Sequence, residues 1–259
     1  MKITQPIALV APVLTFAFVA PCLHAQWTNL PTAGIPRTPD GKVNMTAPAP
    51  RVPDGHPDLT GIWQPRNTKY LNDLAADYKP AELQMTPAAE AFWKARNQYQ
   101  RGWEESDARC LPPGVPKVST APNPFKVIQE PKLIVFLYET FGLRRQIFMD
   151  GRVLGKDPNP TWLGYSTAKW DGDALVVDTV GFNGKAWLDK VGHPITESTH
   201  VTERFRRTDF GHLESIVTID DPASYRKPWD VTLHFDYLPN TEIIEDVCEN
   251  EQDIKHIPH

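Results

Sequence analysis

Cysteine is scarce in this chain of 259 residues: Cys22, Cys110 and Cys248 are the full set, and no Cys-x-x-Cys pair is present. That spacing argues against thiol–disulfide exchange chemistry. The Gly-x-Ser-x-Gly turn of serine hydrolases, the glycine-rich phosphate loop and the dinucleotide fingerprint are also missing. Basic charge is in deficit, with 27 Lys and Arg against 32 Asp and Glu, a net charge of −5. Nucleic acid and anionic lipid both demand a basic surface, so neither is expected as a partner. No apolar run reaches the ~20 residues of a comfortable membrane span.

What is there begins with an export signal. Lys2 gives a short basic start, Ile7 to Ala20 is apolar, and Leu23-His24-Ala25 offers a cut before Gln26. Val19-Ala20-Pro21-Cys22 is close to a lipoprotein box, but a proline before the cysteine suits lipid attachment poorly. Residues 1–25 are therefore read as a signal peptide of a periplasmic or secreted protein. Cys110 and Cys248 remain after the cut, and an even count in an exported chain suggests a bridge. Two separate buried thiols are the alternative.

Residues 26–58 are rich in Pro, Thr, Ala and Gly and read as an arm or linker. Residues 59–259 read as one domain. Thr86-Pro87 opens a helix over about 87–101, with Ala88, Phe92, Ala95 and Tyr99 as its apolar stripe. From Phe125 onward the apolar period is two. Besides a short strand over Asp58–Gln64, strands are expected at Val127–Gln129, Leu133–Tyr138, Leu143–Met149, Leu163–Trp170, Ala174–Val180, Thr199–Arg207, His212–Ile219, Val231–Tyr237 and Ile243–Val247. Asp171-Gly172-Asp173 and Thr208 to Gly211 are hairpin signals, because Asp-Gly tolerates positive φ. The series predicts a mainly β fold: an antiparallel meander closing into a barrel.

Several blocks carry a resemblance. They are Pro57 to Trp63 (PDLTGIW), Arg109 to Pro116 (RCLPPGVP), Arg145 to Phe148, Asp157 to Tyr165, Trp170 to Asp173, Gly192 to Pro194, Val201 to Arg207 (VTERFRR) and Cys248 to Asn250. Together they resemble a family of uncharacterised exported bacterial proteins, acidobacterial and proteobacterial. The resemblance implies export and the fold, and it brings no activity. Where relatives often carry His-Pro-His, this chain has His193-Pro194-Ile195, which weakens any proposal needing two histidines in that loop. Gly61-Ile62-Trp63 also resembles the entry strand of lipocalin-like barrels.

Candidate chemistry gathers between His193 and His212. Alternation puts Glu203 on the face of Val201 and Phe205, so it is expected to look inward as an acid or base. Pairing with an arginine on a neighbouring strand is the competing reading. Glu203, His200 and His193 are the candidate proton carriers. Arg145, Tyr165, Trp170, Tyr138 and Phe148 are candidates for holding a ligand, since an inward arginine suits a carboxylate or phenolate and aromatic walls suit flat molecules.

The leading expectation is a barrel that binds a small, partly aromatic molecule and performs cofactor-independent acid–base chemistry on it, as lyase, isomerase or hydrolase. A lipocalin-like carrier of an apolar ligand is the second reading, and an envelope interaction module using the arm the third. A metal-dependent hydrolase using His193, His200 and His212 is the fourth, although their spacing matches no compact zinc pattern. No cofactor or metal is called for in the leading reading, and homo-oligomerisation is left open.

Overall fold

Alternating apolar side chains decide the architecture. In β3 (Leu133–Tyr138) Ile134, Phe136 and Tyr138 are buried, and in β7 (His200–Arg207) so are Val201, Glu203, Phe205 and Arg207. A strand with one buried face needs partners that share it. The computed structural model describes residues 30–155 and 158–248, so the proposed signal peptide lies outside the described residues.

Nine strands close into a lipocalin-like barrel in sequence order. The others are β1 (Gly61–Pro65), β2 (Phe125–Glu130), β4 (Arg144–Phe148), β5 (Tyr165–Asp171), β6 (Ala174–Val180), β8 (His212–Asp220) and β9 (Trp229–Tyr237). β1 pairs with both β2 and β9 and closes the ring. Trp63, Phe125, Phe136, Phe205 and Phe235 fill the interior, with Phe136 packed against Phe125 and Phe205 at 5.4 Å between ring centroids. Burying each such side chain stabilises the fold by roughly 1.5–3 kcal/mol.

One end of the barrel is shut by Arg207. Its guanidinium lies 4.9 Å from the Trp63 ring and donates to the carbonyls of Asp58 and Phe210. Burial pushes this side chain down to about 10, against the pull of Asp58. The other end is covered by residues 69–123 and 182–199, which carry α1 (Lys69–Asn72) and α2 (Pro87–Lys94).

Three expectations are corrected. The meander is not wholly antiparallel: β4 and β5 run parallel and share only two register pairs, Ile147 with Ser166 and Phe148 with Thr167. The helix is shorter than 87–101. Thr86 caps it by accepting from Ala89 N at 3.3 Å, but it ends at Lys94. The Asn97 side chain accepts from Gln98 N at 2.8 Å and competes with helical pairing, and Gln98, Tyr99 and Arg101 take positive φ. Ile243–Val247 is no strand, because a closed ring leaves no edge to pair with. Ile244 N donates to the Glu139 carboxylate instead.

The arm is docked along its described part. Phe210 N donates to Ala47 O and Gly211 N to Met45 O, Arg51 pairs with Asp173, and His56 stacks on Trp170 at 4.6 Å. Cys110 and Cys248 form a disulfide with Cα atoms 5.4 Å apart. No helix among the described residues is long and apolar enough to cross a membrane.

Candidate functional site

Glu203 faces the interior, as its apolar strand neighbours require, and is 1% exposed. It is not a lone carboxylate. Arg145, inward on β4 and 3% exposed, donates to it through Nη2 across the barrel. The same Nη2 donates to Thr179 Oγ1 at 2.7 Å, and Nε donates to Ser166 Oγ at 3.0 Å. Burial works against the Arg145 charge, but Glu203 and Tyr138 outweigh it and hold its pKa above the ordinary value. Tyr138 lies fully inside, its hydroxyl 3.0 Å from Ser119 Oγ, and burial pushes its phenol up.

One donor of this group is unused. Arg145 Nη1 is buried and has no hydrogen-bond partner among the described residues. The Arg145 backbone lies where the barrel wall is least paired, because the β4–β5 register ends before Arg145 is reached. A cleft of about 340 Å³ opens there, lined by Arg144, Arg145, Phe148, Trp162, Tyr165 and Ser166 among others. Gly164 forms part of its wall at φ +65°. A Cβ there would stand 2.8 Å from both Thr179 Cγ2 and Val180 O. Among the described residues no carboxylate lines the cleft, Glu203 already balances Arg145, and exposed Arg144 adds a positive charge at its mouth.

The expected ligand-holding residues thus divide. Arg145, Tyr165 and Phe148 meet at the cleft. Tyr165 is fixed there by donating to Asn159 O at 2.9 Å. Trp170 is covered by His56 of the arm, and Tyr138 is sealed in the interior. Ser166 and Thr179, which orient the guanidinium, carried no signal beyond their inward register.

The three candidate proton carriers do not share a site. His200 lies on the outer face of β7, opposite Glu203, with Nε2 3.0 Å from Asp178 Oδ1. His193 is buried in the cover between β6 and β7, its Nδ1 2.5 Å from Asp189 Oδ2. Burial alone would lower the His193 pKa, but Asp189 and then Asp73 raise it above 6.5. His212 pairs with Asp209 at 2.6 Å. Among the described residues no metal-ligating group joins His193, His200 and His212; the one that forms around His193 uses Asp73 and Asp189. An aspartate four positions before His193 was the available sequence signal, and Asp73 had none. Neither the protein-family models nor the curated proteins compared with this chain give a match.

Proposed function

We propose that this protein binds a small, partly aromatic anion, such as an aryl carboxylate, in the cleft between β4 and β5, and carries it without turnover. The observation behind this reading is that Arg145, whose buried Nη1 has no hydrogen-bond partner among the described residues, contributes to the wall of an aromatic-lined cleft. An unmade buried hydrogen bond costs about 1–3 kcal/mol, which a ligand oxygen recovers. The volume falls within the ~300–1,000 Å³ of small-molecule pockets. Trp162, Tyr165 and Phe148 supply flat walls, and Arg144 offers the carboxylate a charge at the mouth.

Carriage is preferred to acid–base turnover because Glu203 is committed to Arg145 and His200 lies on the far side of its strand. We further propose that the chain belongs to the exported bacterial family it resembles and works in the periplasm or outside the cell, where a Cys110–Cys248 bond persists.

The test is calorimetric titration with 4-hydroxybenzoate and with cyclohexanol, a non-aromatic neutral control. The aryl carboxylate is expected to bind at one site. Trp162→Ala and Arg144→Ala, both on the cleft wall, are each expected to weaken it several-fold, about 1 kcal/mol apiece. No heat with the aryl acid, or equal binding by the wall variants, overturns the reading.

A further inference from the structure

The cover over the open end of the barrel holds a second, separate group. Between β6 and β7 the chain folds back, Leu188 N donating to His193 O at 2.9 Å. The end of α1 docks on this turn, with Lys190 N bound to Leu71 O and Val191 N to Asn72 O. Docking brings Asp73, Asp189 and His193 together, one ligand atom from each lying within 4.8 Å of the others. Asp189 is fully buried and oriented by Leu74 N at 2.8 Å and His193 N at 3.0 Å. Asp73 is partly exposed, which leaves a path from solvent.

Charge around this group does not balance. Lys117 is buried against Glu105 and Asp107, and Lys190 acts on both Lys117 and Asp107. The nearby pair Lys69–Asp77 is neutral, and Glu104 is shared by Arg96 and the exposed Arg101. Four carboxylates, Asp73, Glu105, Asp107 and Asp189, then face two ammonium groups. With Lys117 protonated the excess is two negative charges if His193 is neutral and one if it is protonated, and buried charge demands a partner. Trp229, 3% exposed, packs 6.4 Å from the imidazole and has an indole N–H with no acceptor among the described residues.

We propose that Asp73, Asp189 and His193 bind one divalent cation of the Zn²⁺ or Mn²⁺ type through two carboxylate oxygens and the imidazole Nδ1. Mixed oxygen and imidazole donors suit these ions. The cation takes the place of the proton that Nδ1 shares with Asp189: from an imidazolium that proton leaves to water, and from a neutral ring it moves to Nε2, so that a neutral imidazole remains as the ligand in either case. The site is independent of the β4–β5 cleft, and neither proposal stands or falls with the other.

Metal-stripped protein titrated calorimetrically with ZnCl₂ and with MnCl₂ tests it. One equivalent is expected to bind, and Asp73→Asn is expected to weaken binding by more than about tenfold. Asp209→Asn, which alters the surface pair with His212, is expected to leave the affinity unchanged. Mn²⁺ added to unsubstituted protein should broaden the ring resonances of His193 ahead of those of His200, His212 and His234. That measurement decides the matter should the Asp73 variant fold poorly. Absence of binding, full affinity in Asp73→Asn, or broadening confined to the surface histidines overturns the proposal.

Discussion

The Arg145–Glu203 pair shows how far one residue's role is readable from its neighbours. That Glu203 looks inward follows from alternation with Val201 and Phe205. Its partner does not, because β4 and β7 are not adjacent and meet only across the closed lumen. Glu203→Gln leaves a buried guanidinium without its counter-charge. It is expected to cost about 3–5 kcal/mol in urea unfolding, whereas His200→Ala on the outer face should change stability by less than about 0.5 kcal/mol. Equal effects would refute the distinction. His193 carries a pH signature in metal-free protein. Its folded pKa is raised above 6.5 by Asp189 and Asp73, in spite of burial, so the folded state holds the proton more tightly. The stabilisation is fully present below about pH 6.5 and is lost as pH rises through the folded value. Melting temperature measured against pH should show that decline, and His193→Gln should flatten it.

At the level of elements, β-strands were legible wherever one face is buried. The hairpin at Asp171-Gly172-Asp173 joins β5 to β6 as its turn chemistry requires, with Gly172 at φ +57°. The parallel direction of β5 was not legible, since strand direction is set by the path of residues 149–164 and leaves no mark on alternation. The helix was over-extended for a related reason: Tyr99 continues the apolar spacing, yet it is 54% exposed and buries nothing that would hold another turn together. Gly164 is the most constrained residue beside the cleft. Gly164→Ala adds a methyl against Thr179 and the Val180 carbonyl at a left-handed φ. It should destabilise by about 1–3 kcal/mol in chemical denaturation and distort the slot beside Arg145. An unchanged midpoint would show that the wall yields there.

For the whole molecule, the bond between Cys110 and Cys248 closes a loop spanning 138 positions and fastens the cover of the barrel to the tail beyond β9. Closing a loop of that length stabilises by about 5 kcal/mol in the chain-entropy model. A Cys110→Ala, Cys248→Ala double variant should lose about 2–5 kcal/mol and melt at a lower temperature. The sequence suggested this bond through its even count of cysteines after an expected export signal, with two separate thiols as the alternative. The docking of the arm was beyond it, because Pro-rich chain has no period of its own and its place is set by the surface it meets.

A ring is only as tight as its loosest join. β7 and β8 hold each other through eight register pairs, β4 and β5 through two. Breathing of the cylinder will therefore concentrate at that join, and amides of β4 and β5 should trade hydrogen for deuterium sooner than those of β7 or β8. A guest lodged beside Arg145 touches both lips of the gap. It would act as a stitch, slowing that exchange locally and leaving the opposite wall unaffected.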